Sequence, residues 1–347
     1  MRNGHSATSD QVTRWNPSRR ELLGAGAALA IGGGLAGGMR FVSQNERGLR
    51  ANVCITKVRD YHVDIAQRIL DGFGVLGIGR DTLRNKSIVL KPNLVETARG
   101  QAHINTNHAV VVAAAEAFRQ MDVKSVVVAE GQGHRRDSQI VLDESGMGQA
   151  LREARLPFVD LNHDSFAKIN NRGEWSRLGP LFLPDTILAA DWVVSMPKLK
   201  THHWTGMTCS MKNFFGVMPG IVYGWPKNVL HYAGIAESIL DINATVKPAL
   251  SIVDGVVGME GDGPIMGTPK QTGLIVMGRN LPAVDATCAR LMDLNPLGIG
   301  YLNGASGKLG PVREANISQR GETIQSLSSS FSILDEPHLR SVVSNRS

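Results

Sequence analysis

Hydrophobic residues recur along this chain as short β-branched runs separated by stretches of helical spacing, from about residue 53 onward. The runs are Ser87–Leu90, Ser125–Ala129, Trp192–Met196, Leu250–Val253 and Gly273–Met277. Their interiors are apolar without alternation, which predicts strands covered on both faces. Between them, apolar positions three and four apart predict helices over Asp64–Leu70, His108–Gln120, Gly148–Ala154, His231–Asn243 and Val284–Met292. Strand alternating with helix predicts an α/β fold: a largely parallel sheet flanked by helices, as one large domain or two closely packed α/β lobes. Residues 162–184 are irregular, with Pro180 and Pro184, and read as an insertion or an edge hairpin. The α/β domain is expected over 50–317, followed by a peripheral Ser-rich tail over 318–347.

The N-terminus breaks this pattern. A polar stretch ends in Pro17-Ser18-Arg19-Arg20-Glu21-Leu22-Leu23, and a Gly/Ala-rich run without charge continues to Gly38. A charged region before a short, weakly hydrophobic one is an export signal. The adjacent arginines are similar to those of a twin-arginine (Tat) leader, expected over 1–38. That reading implies passage through the Tat translocase, a periplasmic or extracellular protein, and no stable membrane span after cleavage.

Composition narrows the classes further. With 42% hydrophobic and 20% charged residues the chain is too apolar for a disordered one. Of the formal charge of +6, the leader carries Arg2, Arg14, Arg19 and Arg20 against Asp10 and Glu21, so +4 remains. No basic, aromatic-interleaved stretch is present, which argues against nucleic acid as a partner. Cys54, Cys209 and Cys288 cannot form a disulfide scaffold, and without a C-x-x-C an iron–sulfur cluster is disfavoured.

The strand ends carry the polar chemistry. Ser87–Leu90 runs into Lys91-Pro92-Asn93, and Ser125–Ala129 into Glu130-Gly131-Gln132-Gly133-His134. Trp192–Met196 runs into Pro197-Lys198-Leu199-Lys200-Thr201-His202-His203, and Leu250–Val253 into Asp254-Gly255 and then Met259-Glu260-Gly261-Asp262. Open parallel sheets bind ligands beyond the carboxyl ends of their strands, so these loops together predict a site. Two nearby motifs lack the context they need. Gly72-Phe73-Gly74-Val75-Leu76-Gly77 spells G-x-G-x-x-G but follows a helix, and reads as a helix C-cap and loop. Ser195-Met196-Pro197-Lys198 spells S-x-x-K but straddles a strand end.

What remains is a set of lysines with acids and histidines. Lys91, Lys198, Lys200 and Lys212, if convergent, form a cationic pocket for an anionic small molecule. Crowding and desolvation depress a lysine pKa and equip it as base or nucleophile. The groups for acid–base or metal chemistry are Glu130, His134, His202, His203, His231, Asp254, Glu260 and Asp262. His with carboxylate oxygen suits a divalent metal, though no diagnostic ligand spacing occurs.

The chain resembles the DUF362 family, a group without assigned function. The resemblance rests on Val89-Leu90-Lys91-Pro92-Asn93-Leu94-Val95, Met196-Pro197-Lys198-Leu199-Lys200-Thr201-His202 and Lys212-Asn213-Phe214-Phe215-Gly216. It continues through His231, Ile252-Val253-Asp254-Gly255, Met259-Glu260-Gly261-Asp262-Gly263-Pro264 and Ala283-Val284-Asp285-Ala286. Some members look like fusions with a ferredoxin-type cluster module, which this chain lacks. Cys209 stands where the family looks small and apolar, and reads as a buried thiol.

Together these readings give an exported enzyme acting on an anionic small molecule, its reaction unspecified. The alternative is a binding or cofactor-carrying protein without catalysis. Lys198, Lys212, Asp254 and Glu260 are the expected catalytic groups. Lys91, Asn93, Lys200, His202 and Asn213 are expected to bind the substrate, and His202, His231 and Glu130 are the candidate metal ligands.

Overall fold

A computed structural model describes residues 45–97, 99–133 and 137–343. The expected leader and its arginine pair lie outside the described residues, as do His134 and the last four residues of the tail.

The strands are β1 (Ala51–Lys57), β2 (Ser87–Pro92), β3 (Ser125–Glu130), β4 (Phe158–Asp160), β5 (Phe166–Ile169) and β6 (Leu181–Pro184). They continue as β7 (Trp192–Met196), β8 (Lys198–His202), β9 (Gly206–Thr208), β10 (Leu250–Glu260), β11 (Thr268–Gly278) and β12 (Ile317–Gly321). Ten of them form one sheet in the order β12-β1-β11-β10-β7-β2-β3-β4, with β8 pairing β10 and β9. From β10 to β4 all neighbours are parallel, and β11 runs antiparallel to β1 and β10. The fold is therefore α/β with a mostly parallel sheet.

The apolar strands are buried on both faces because helices cover both. Along β2, Ile88 and Leu90 join one core cluster while Val89 joins the other, as the two-residue pleat requires. The helices Ile65–Val75, His108–Arg119, Ser138–Glu144 and Met147–Glu153 cover one face. The helices Ile235–Val246, Leu281–Leu291 and Gly300–Ala305 cover the other. Among the described residues no helix is long and apolar enough to cross a membrane.

Several local expectations change. The helix Ile65–Val75 runs through Gly72 and Gly74 rather than stopping before them. A Cβ on Gly72 would collide with Met277 Cε, so this glycine lets the helix rest against β11. The helix expected over His231–Asn243 is two, Asn228–Tyr232 and Ile235–Val246, broken at Gly234. The φ of Gly234 is +103°, a conformation that only glycine adopts without strain. Residues 166–184 form a separate two-stranded hairpin of β5 and β6. The segment after 317 lies at the rim but is anchored: β12 adds to β1, and Phe331, Leu339 and Val342 are buried.

Chain order explains where a ligand site belongs. From β2 the sheet grows through β3 to β4 in one direction, while β7 is laid down on the other side of β2. The order reverses between β2 and β7, so the connections beyond their carboxyl ends diverge and leave a crevice.

Candidate functional site

A cavity of about 410 Å³ opens at that crevice, beyond the ends of β2 and β3 and against β8, β9 and the turn Ser210–Val217. Lys91, Asn93, Glu130, Lys200, His202, Lys212, Asn213 and His231 all line it. With His203 and Asp262, which also line it and meet at 3.3 Å, ten residues singled out from sequence are thus brought together. Lys198, Asp254 and Glu260 do not line it, which corrects their expected catalytic placement.

The reason for the first two is pairing. Lys198 and Asp254 are fully buried and meet at 2.5 Å. Tyr61 Oη donates to Asp254 Oδ1 at 3.0 Å, and the backbone N–H of Asn107 donates to Oδ2 at 2.8 Å. Lys198 Nζ also donates to Tyr61 Oη at 3.0 Å and Val257 O at 3.2 Å. Lys198 and Lys200 stand two residues apart on β8, the same side of a regular strand. The pairing of β8 with β10 jumps from Asp254 opposite Lys198 to Met259 opposite Lys200, so Lys198 meets Asp254 while Lys200 lines the cavity. Glu260 Oε2 binds Lys270 Nζ at 2.8 Å and accepts the Ser332 N–H at 3.0 Å.

Within the cavity the lysines have distinct surroundings. Lys91 Nζ donates to Glu130 Oε2 at 2.7 Å, Pro92 O at 3.0 Å and Asn213 Oδ1 at 3.1 Å. Burial lowers its pKa and the Glu130 carboxylate opposes that shift. Glu130 also accepts the N–H groups of Gly131 and Leu94. Asn213 Nδ2 in turn donates to Lys91 O at 2.9 Å. This pair is the rigid floor of the site. Gly216 packs against it, and a Cβ there would fall on Glu130 Oε1 and Lys91 Nζ. Gly216→Ala is expected to lower stability by about 1–3 kcal/mol through overpacking, read by denaturant unfolding.

The amines of Lys200 and Lys227 are held only by backbone carbonyls. Lys200 Nζ donates to Ile104 O at 2.9 Å and Pro264 O at 3.1 Å. Desolvation, then the nearby charges of Lys212 and Lys198, pull its pKa well below the usual value. Lys227 Nζ donates to Met218 O at 2.5 Å and Gly131 O at 2.7 Å. It is brought to about 7, mainly by desolvation. Its φ of +65° is a left-handed backbone at a non-glycine residue, a strained state that surrounding structure must hold in place. Lys212 Nζ has no hydrogen-bond or ion-pair partner among the described residues and lies 5.7 Å from the Phe215 ring centroid. Burial alone brings it to about 8.

The histidines are held in defined tautomers. His202 Nδ1 accepts the Trp204 N–H at 3.0 Å, which leaves the proton on Nε2. Desolvation and then the Lys212 charge hold it neutral, its pKa well below the usual histidine value. His231 Nδ1 lies 3.1 Å from Lys227 O, to which it donates. Among the described residues no three His, Cys, Asp or Glu side chains gather as a metal-ligand set. His202, His231 and Glu130 share the cavity, but Glu130 is bound to Lys91 and His202 Nδ1 to backbone, which corrects the expected metal assignment.

On the cavity wall, Asn93 Oδ1 and Thr208 Oγ1 are buried without a hydrogen-bond partner among the described residues. Trp204, Phe215 and Met266 supply apolar surface, with Trp204 and Met266 largely exposed. Sequence reasoning missed Lys227, Thr208 and these apolar groups. The one available signal was position: Lys227 follows Gly224-Trp225-Pro226, between the motif Lys212–Gly216 and His231. Cys209 is buried, and desolvation raises its thiol pKa well above the ordinary range. The three cysteines are unpaired and buried.

Fold and site thus define an α/β protein with a lysine-rich cavity at a strand-order switch. The chain belongs to the DUF362 family, a domain of unknown function, whose model matches residues 88–290. It is 27% identical over 226 residues to the Thylakoid-associated protein sll1697 of Synechocystis sp., covering 63% of this chain and 67% of that one. The lactate racemase apoprotein of Thermoanaerobacterium thermosaccharolyticum aligns with a TM-score of 0.35 and 15% identity over 65% of this chain. The aligned part spans 54% of that protein, about half its length.

Proposed function

We propose that this DUF362 protein is an exported enzyme acting on a small organic anion bound in the lysine cavity. The observation that carries the reading is charge without counter-charge. Lys200, Lys212 and Lys227 line one cavity, and none has a carboxylate within ion-pair reach among the described residues. An anion supplies what the fold omits: it offsets the desolvation that depresses these lysines. The apolar part of the ligand lies against Trp204, Phe215 and Met266. The export reading rests on Ser18-Arg19-Arg20-Glu21-Leu22-Leu23.

The test is the pH dependence of anion affinity, measured by calorimetry with small carboxylates and inorganic phosphate. The binding form of each lysine is protonated, and the bound anion raises its pKa. Affinity is therefore full below the free-protein values and falls as pH rises through about 7 for Lys227 and about 8 for Lys212. Binding takes up protons in that window. Affinity that is flat or rising with pH overturns the assignment.

A second reading, carriage of a resident group without turnover, is favoured by the sealed acceptors Asn93 Oδ1 and Thr208 Oγ1. Native mass spectrometry of protein purified from its own host separates the two. A stoichiometric bound group supports carriage, and a bare chain supports an exchanging substrate.

A further inference from the structure

We propose that Lys212 Nζ bonds covalently to the ligand as an imine, so that the substrate class is a small carboxylate carrying a neighbouring aldehyde or ketone, a 2-oxo acid. The inference rests on the anion reading above and deepens it. It begins from a contrast among the lysines at this end of the sheet. The amines of Lys91, Lys198, Lys200 and Lys227 are each tied to at least two protein acceptors. Their positions are fixed and their lone pairs, if freed, are surrounded. Lys212 alone of these presents an amine to the cavity with no acceptor holding it, beside the Phe215 ring.

The neighbours suit the reaction. Lys200 is close enough that the Lys212 charge is the second cause of its depressed pKa, so it can hold a carboxylate beside the reacting carbon. It has donated two of its three N–H bonds to carbonyls and keeps one for the ligand. His202, fixed with its proton on Nε2, lines the same cavity and offers a hydrogen-bond donor to the substrate oxygen. Burial brings Lys212 to about 8, so a useful fraction is the free amine near neutral pH.

The step balances without oxidant or reductant. The Nζ lone pair attacks the carbonyl carbon and the C–N bond forms as the carbonyl oxygen takes a proton. The hydroxyl then leaves as water with a proton taken from solvent while the His202 Nε2–H hydrogen-bonds the departing oxygen, the nitrogen loses its two protons to solvent, and the C=N bond forms. Amine and carbonyl become imine and water.

The test uses pyruvate as probe with borohydride reduction, read by intact mass and peptide mapping. The expected result is one adduct per chain, on Lys212, with a mass gain equal to the ligand less one oxygen atom. Lactate, which has no carbonyl, is expected to compete without forming an adduct. Trapping is expected to speed up as pH rises toward about 8, opposite to the trend of simple anion affinity. Lys212→Arg keeps the charge but not the nucleophile, and is expected to lose the adduct while still binding lactate. If pyruvate binds by calorimetry and no Lys212 adduct forms, or the adduct persists in Lys212→Arg, the imine is overturned and the anion site stands. If neither pyruvate, lactate nor phosphate binds, the anion reading fails and the imine falls with it.

Discussion

Replacing Lys198 by Met is expected to lower the stability of the fold by about 3–5 kcal/mol, the usual cost of stranding one half of a buried ion pair. Asp254 would remain fully buried, with Tyr61 and two backbone N–H groups around it but no cation. Such a carboxylate must either stay charged in an apolar interior or take up a proton, and both states cost free energy. Denaturant unfolding reads the loss. Adding Asp254→Asn to Lys198→Met should recover part of it, because the amide keeps an acceptor for Tyr61 and removes the charge. Anion binding by whatever protein remains folded is expected to be unchanged, since neither residue lines the cavity. Intact stability with abolished binding would show that Lys198 reaches the ligand, and would restore its catalytic assignment.

The second large effect concerns the ligand. Lys200→Met is expected to weaken binding of a small carboxylate at least about thirtyfold, the equivalent of roughly 2 kcal/mol for truncating one partner of a buried charged contact. Here the fold loses comparatively little. Lys200 satisfies only two backbone carbonyls, Ile104 O and Pro264 O, and removing a strongly depressed cation also removes its desolvation cost. Lys200→Met should therefore separate binding from stability, as Lys198→Met does in the opposite sense. The two variants lie two residues apart on β8 and are expected to report on different properties. Equal affinity in wild type and Lys200→Met, by calorimetry at matched pH, would remove Lys200 from the site.

The contrast between these lysines shows how far the sequence carries. Both stand after an apolar strand, next to Pro or Leu, and both belong to the motif Pro197-Lys198-Leu199-Lys200. Nothing local distinguishes them. The difference arises because Asp254, from a strand laid next to β8, arrives beside Lys198, whereas the loop bearing Pro264 arrives beside Lys200. Glu130 is a similar case. Its type and place suggested a metal ligand, but β2 lies parallel to β3 and brings Lys91 within 2.7 Å of it. Lys227 escaped notice altogether, because a lysine in a loop looks solvated until the loop is folded over Gly131 and Met218.

By itself the sequence determined what short-range rules control. Apolar β-branched runs without alternation meant strands buried on both faces, and helical spacing between them meant an α/β sheet with helices on each side. Polar residues after four of those strands placed the chemistry at one end of the sheet, and the ordered motifs placed the chain in its family. Those features depend on the residue and its few neighbours along the chain. The strand order, with its reversal between β2 and β7, and the choice of partner for each charge were decided only by tertiary structure. A buried charge is governed by what lies within a few ångströms of it, and its partners come from distant parts of the chain: Lys91 from Glu130, Lys198 from Asp254, and Lys212, among the described residues, from none.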